Sequence, residues 1–149
     1  MSDSLRKFIF EHAHIRGSIV QLGATWQAVL ERHEYPLAIK NILGELMASA
    51  ALLATTLKFE GSLIMQIQGD GAVKLLVVEC NSDLTLRAMA QWDDAALAGL
   101  GTFRQLTGDG RFVITIDPKD SRQTYQGIVE LTGETVAETL QHYMETSEQ

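Results

Sequence analysis

The stretch that most constrains this chain is the run from Leu46 to Leu57, where Met47-Ala48-Ser49-Ala50-Ala51-Leu52-Leu53-Ala54 has almost no polar face. A helix that is apolar all round belongs inside a protein or a membrane. The run is a dozen residues bracketed by Glu45 and Lys58, whereas a membrane span needs about 20 apolar residues. It therefore reads as a buried central helix, with small residues that let neighbouring layers come close. Pro36 suits the first turn of that helix, because its missing N–H is not needed there. The spacing predicts a helix from Pro36 to about Phe59, ending before Gly61.

A chain of 149 residues can bury roughly 70% of its unfolded surface in one domain, so such a helix can be enclosed. Hydrophobic residues make up 46% and charged residues 21%, the balance of an ordinary folded domain and not of a disordered one. The net charge of -7 comes without any basic stripe, which argues against nucleic acid as a partner. A single cysteine, Cys80, cannot form an intramolecular disulfide or a structural zinc site and fits a reducing compartment. The start lacks the apolar region of a signal peptide. The expectation is a cytoplasmic protein with no membrane as partner.

Around the central helix the pattern is mostly extended. Leu5, Phe8 and Ile9 have helical spacing behind the possible caps Ser2, Asp3 and Ser4, predicting a short N-terminal helix. Residues 15–22 read as a strand. Gly23 leads into a helix with Trp26, Val29 and Leu30 on one face, ending near Tyr35 because the residue before Pro36 is driven out of helical geometry. After Gly61, Leu63, Met65 and Ile67 alternate with Ser62, Gln66 and Gln68, and Gly69-Asp70-Gly71 turns the chain into residues 73–78. A third strand, with Leu84, Leu86, Ala88, Ala90 and Trp92 on one face, completes an antiparallel meander.

The stretch from Asp93 to Leu106 hints at a short helix broken by Gly99 and Gly101. Phe112, Ile114 and Ile116 then open a second extended pair that turns at Pro118–Ser121 and returns over Tyr125–Leu131. The last helix starts near Thr135, whose spacing to Glu138 fits a capping box, with Val136, Leu140, Tyr143 and Met144 as its apolar face. The fold class is α/β of the α+β type: mostly antiparallel sheets packed around a buried central helix in β/α/β layers, as one domain over residues 1–149.

Candidate chemistry is sparse. Gly-Asp-Gly occurs at 69–71 and again at 108–110; each copy runs into a strand, where phosphate loops run into a helix, and its aspartate would repel a phosphate. A tight turn is the better reading. His12, His14 and His33 lack any acidic partner at ligand spacing and read as surface residues, and His142 on the last helix carries no further signal. Cys80 has Glu79 and Asp83 beside it, which would raise its pKa and blunt its reactivity. No serine occupies a G-x-S-x-G elbow. Trp26 and Trp92 could anchor a partner, but Trp92 shares the face of Leu86 and Ala88 and reads as core. No catalytic, cofactor-binding or metal-binding residue is assigned.

Several segments taken together carry a resemblance: Tyr35-Pro36, Lys40-Asn41-Ile42-Leu43-Gly44-Glu45-Leu46, the run to Thr55-Thr56-Leu57-Lys58-Phe59, Gln66-Ile67-Gln68-Gly69-Asp70-Gly71, Val113-Ile114-Thr115-Ile116, Tyr125-Gln126-Gly127-Ile128-Val129 and Ser147-Glu148-Gln149. In this order they resemble the redox-regulated bacterial holdase family, the thirty-three-kilodalton heat-shock chaperone. The resemblance implies an N-terminal α/β body with a helix between sheets. It also implies ATP-independent capture of unfolding clients under oxidative and heat stress, dimerisation through this body, and a C-terminal zinc module of four cysteines. None of those four has a counterpart here, so zinc is expected only in a longer family protein, of which this chain would be the scaffold and dimerisation domain. The alternative is a small cytosolic α/β ligand-binding or enzymatic domain with its site near residues 93–110, carrying Arg104 and Asp109.

Overall fold

The computed structural model describes residues 2–120 and 123–146. The turn expected at Pro118–Ser121 therefore lies partly outside the described residues, and the closing Ser147-Glu148-Gln149 does so entirely.

The first two elements form a hairpin, β1 (Ser4–Phe10) antiparallel to β2 (Ile15–Gln21), in register from Ser4↔Gln21 to Phe10↔Ile15. The helix expected for Leu5, Phe8 and Ile9 is therefore corrected to a strand. Its supposed cap does serve a helix, but a different one. The Gly23 N–H donates to Asp3 Oδ1 (2.7 Å), the Thr25 N–H donates to the same oxygen (3.2 Å), and the Thr25 hydroxyl donates to Asp3 Oδ2. Asp3 thus satisfies the open N-terminus of α1 (Ala24–Leu30), which has no capping side chain of its own.

α1 buries Val29 and lays Trp26 on Gly44 of the next helix, with the ring 3.4 Å from where a Cβ would stand. It ends at Leu30, earlier than expected. The chain unwinds through an Arg32 N–H to Val29 O bond (3.2 Å), and Tyr35 is buried against Trp92 with ring centroids 5.6 Å apart.

α2 (Leu37–Ala54) is the buried central helix, with Pro36 as its N-cap. Ile39, Leu43, Leu46, Met47 and Ala50 are fully enclosed. The helix stops at Ala54 and does not continue to Phe59, because the Thr55 and Thr56 hydroxyls take the Leu52 and Leu53 carbonyls (2.7 Å each) and offer the backbone an alternative to further helix. By length and composition α2 could cross a membrane. Its packing between the sheet and the rest of the body accounts for its apolarity without one.

The remaining strands form one five-stranded antiparallel sheet in the order β5-β4-β3-β6-β7, comprising β3 (Gly61–Gln68), β4 (Val73–Asn81), β5 (Leu86–Trp92), β6 (Arg111–Pro118) and β7 (Tyr125–Glu130). The expected meander is present as β3-β4-β5, and the second extended pair joins it through β3 and β6. One face is core: Leu63, Met65 and Ile67 of β3, Leu76, Val78 and Cys80 of β4, and Phe112 and Ile114 of β6 pack in one cluster with α2.

Between β5 and β6 lie a 3₁₀ turn, Asp94–Leu97, and α3 (Phe103–Thr107). Thr102 caps α3 reciprocally with Gln105, Oγ1 accepting from the Gln105 N–H (3.1 Å) and Gln105 Oε1 accepting from the Thr102 N–H (3.2 Å). α4 (Val136–Thr146) begins as expected, Thr135 Oγ1 accepting from the Glu138 N–H (3.0 Å). It buries Val136, Thr139 and Tyr143 and leaves Met144 exposed, so the expected apolar face is one residue narrower at its end.

Candidate functional site

The two Gly-Asp-Gly segments are neighbours in space. Asp70 Oδ1 accepts the Asp109 N–H (2.8 Å), and the Asp70 and Gly71 N–H groups both donate to Thr107 O (3.0 and 3.3 Å). Gly108 adopts a φ of 67°, which favours glycine, and a Cβ there would stand against the Asp70 carboxylate. The glycines allow two turns to close on each other, and the aspartate already has a backbone N–H. This is a structural clasp at one end of the sheet, in keeping with the turn reading.

The histidines do not converge. His12 and His14 sit exposed in the turn of the β1–β2 hairpin, His33 lies edge-on to Tyr35 at 5.6 Å, and His142 is half-buried on α4. Among the described residues no three His, Cys, Asp or Glu side chains come together as a metal site.

Cys80 lies on the core face of β4 with no exposed surface. Burial, reinforced by the Asp83 charge, pushes its thiol up to about 11. Of the two neighbours expected to raise it, only Asp83 does so, since Glu79 points to the opposite face and pairs with Arg87 at 2.8 Å. A thiol held neutral in apolar packing is a poor nucleophile and a poor zinc ligand. The residues of this chain do not fit the zinc site that the family resemblance implies.

The alternative site near residues 93–110 uses its polar groups to hold the segment in place. Arg104 Nη1 donates to Leu131 O (3.1 Å), its other nitrogen faces Asp109 Oδ1 at 3.6 Å, and Phe103, Leu106 and Thr107 are buried. The cleft beside it, of about 440 Å³, is walled by Asn41, Glu45, Thr102 and Glu134 among others, and neither Arg104 nor Asp109 lines it. Trp26 and Trp92 are half-buried, Trp92 giving its indole N–H to Asp94 Oδ1 (2.6 Å). They serve packing.

What the structure leaves uncovered is apolar surface, and the sequence pattern did not single it out. On the hairpin, Phe8, Phe10, Ile15 and Ile19 share one face of the β1–β2 ladder, with Phe8 lying over Gly17 and edge-on to Phe10 at 5.9 Å. Ile9, on the other face, is 67% exposed, and Ile19 is 60% exposed. The other face of the large sheet carries the register row Met89-Val77-Gln66-Val113-Ile128, in which Val113 is buried and only the two edge-strand residues Met89 and Ile128 are exposed, so the contiguous apolar group is the one on the hairpin. Single exposed apolar residues are ordinary, but contiguous groups of them mark interaction surfaces.

The sequence model of the Hsp33 protein family matches residues 3–149. The chain is 51% identical over 150 residues to a protein of Methylobacillus flagellatus named 33 kDa chaperonin, covering all of this chain and 50% of that protein. It is 51% identical over 148 residues to the 33 kDa chaperonin of Chromobacterium violaceum, covering 99% of this chain and 50% of that one. The chain thus spans about half the length of the curated relatives it matches. Among solved structures, the crystal structure of the 33 kDa chaperonin (heat shock protein 33 homologue) of Thermotoga maritima superimposes with a TM-score of 0.81 at 23% identity, over 97% of this chain and 51% of that one. At that identity the likeness speaks for the fold alone.

Proposed function

Because the chain belongs to the Hsp33 family, we propose that it is the N-terminal body of an ATP-independent chaperone that holds unfolding proteins under heat and oxidative stress. The observation that carries this reading is the uncovered apolar surface on the β1–β2 hairpin, where Phe8, Ile9, Phe10, Ile15 and Ile19 are all exposed. A holdase needs exposed apolar area that is rigidly presented and not spent on its own core.

The body contributes scaffold, client surface and a contact for a homodimer. The zinc-binding redox switch is carried by residues outside this chain. The protein acts as a binder and not as an enzyme, in the cytoplasm, with no nucleic acid and no membrane as partner. Relatives named 33 kDa chaperonin support the binder reading, and the Asp70 clasp speaks against a phosphate loop at the Gly-Asp-Gly turns.

The test is light scattering of a thermally unfolding client, without ATP, under reducing and oxidising conditions. Suppression of aggregation in both conditions is expected, because the only thiol is enclosed. No suppression in either would remove the client surface from this body.

A further inference from the structure

The hairpin forms, with the segment that follows α2, a groove of about 470 Å³. Its walls include Lys7, Phe8, Ile9, Arg16, Leu57 and Lys58, and among the described residues no aspartate or glutamate lines it. Elsewhere the chain is acidic: nineteen Asp and Glu stand against twelve Lys and Arg. Three of those twelve cations therefore line a mostly apolar groove whose described lining carries no carboxylate. In a chain of net charge -7, such a groove is the place where a negatively charged ligand meets attraction in place of repulsion.

We propose that this groove holds client segments in which apolar residues are interspersed with carboxylates. The inference rests on the chaperone reading and sharpens it by naming a client chemistry. Ile9, which is 67% exposed, and Leu57 give the apolar contact that any unfolded segment can use. Lys7, Arg16 and Lys58 select among segments, since a basic segment meets three cations of its own sign while an acidic one is drawn in. The same cations make association salt-sensitive, because the groove is open to solvent and its charges are screened beyond a Debye length of about 8 Å at physiological ionic strength.

The experiment uses fluorescein-labelled twelve-residue peptides that share a leucine and valine framework and carry either four glutamates, four glutamines or four lysines. Fluorescence anisotropy against the chain is expected to give at least tenfold tighter binding of the glutamate peptide than of the lysine peptide, with the difference shrinking in 0.5 M salt. In the doubly reversed variant Arg16→Glu with Lys58→Glu, the preference is expected to invert toward the lysine peptide. Because an unfolded chain of this net charge would also attract the lysine peptide, the inversion counts only where circular dichroism shows the variant folded, and it must exceed that of a control reversal of two cations outside the groove, Arg87→Glu with Arg111→Glu. Equal binding of the three peptides by the chain, or an unchanged preference in the folded reversed variant, overturns the assignment. Client light scattering separates this failure from the broader one. Suppression by the chain that persists unaltered in the reversed variant for an acidic client overturns the groove and leaves the chaperone reading standing, whereas no suppression by the chain overturns the chaperone reading itself.

Discussion

The Asp70 carboxylate accepts the Asp109 N–H at 2.8 Å across thirty-nine residues of chain, tying the turn that leads into β4 to the turn that leads into β6. Both turns sit where the meander meets the second hairpin, so the bond holds together the seam of the sheet. Asp70→Ala is expected to lower stability by about 1 kcal/mol, because the bond is charge-assisted but exposed. Urea unfolding checks this. An unchanged midpoint would mean that the glycine turns hold the seam unaided.

Gly110 and Gly101 form a matched pair of tests. A Cβ on buried Gly110 would press on the Gln68 carbonyl and on Leu131, whereas nothing stands within 4 Å of one on Gly101. Gly110→Ala is expected to cost at least ~2 kcal/mol through overpacking against backbone. Gly101→Ala is expected to be neutral or to stabilise by a few tenths of a kcal/mol, since it only narrows the unfolded ensemble. Equal melting temperatures for the two variants would contradict the packing described.

Asp3 links the hairpin to α1. Its pKa is lowered, first by the Thr25 hydroxyl and then by the N–H groups of Thr25 and Gly23, against the opposing effect of burial. A carboxyl depressed in the folded state adds stability above its unfolded value of 3.8, and that contribution is lost as the pH falls through the lower folded value. Asp3→Ala should cost about 1 kcal/mol at pH 7, near the middle of the range for caps. The difference from the parent chain should vanish in strong acid. A gap in chemical-denaturation midpoint that stays constant from pH 7 to pH 2 would argue that the cap is not ionic.

For Cys80 the sign is reversed. A thiol raised to about 11 from 9.0 keeps its proton in the folded chain when the unfolded chain has lost it. Stability is therefore unaffected near neutrality and falls as the pH rises from about 9 towards 11, by roughly 2 to 3 kcal/mol in full. Cys80→Val should flatten that alkaline loss. In the native chain a thiol-specific disulfide reagent should react only on unfolding, and rapid native labelling would show that β4 opens more readily than its burial implies.

The sequence made α2 legible because composition alone demands burial there. The meander was equally clear from its period of two. The first strand was misread because Leu5, Phe8 and Ile9 match helical spacing. As a hairpin β1 leaves Phe8, Ile9 and Phe10 exposed on both faces, so the alternation that betrays a half-buried strand is missing. Exposed apolar residues erase the signal used to find strands, and here they also form the candidate client surface. The same property hid both element and site.

α3 was missed although Thr102 and Gln105 stand at capping-box spacing, since two glycines just before it suggested a loop. The pairing of β3 with β6 left no local trace, because strand partners distant in sequence are chosen by the closed core. The acid-free groove is a product of folding as well: Lys7, Arg16 and Lys58 come from three separate segments.

β3 is bonded on one side to its immediate successor and on the other to β6, in register from Gly61↔Pro118 to Gln68↔Arg111. The first pairing closes a four-residue turn and can form within about 1–10 μs. The second must wait for residues 69–110 to be made and ordered, and it carries the loop-closure cost of distant contacts. Until it forms, β3 has a bare edge and Leu63, Met65 and Ile67 lack the β6 side of their enclosure. During its own maturation the chain is thus expected to pass through the kind of sticky, half-built state that its family is proposed to rescue in others.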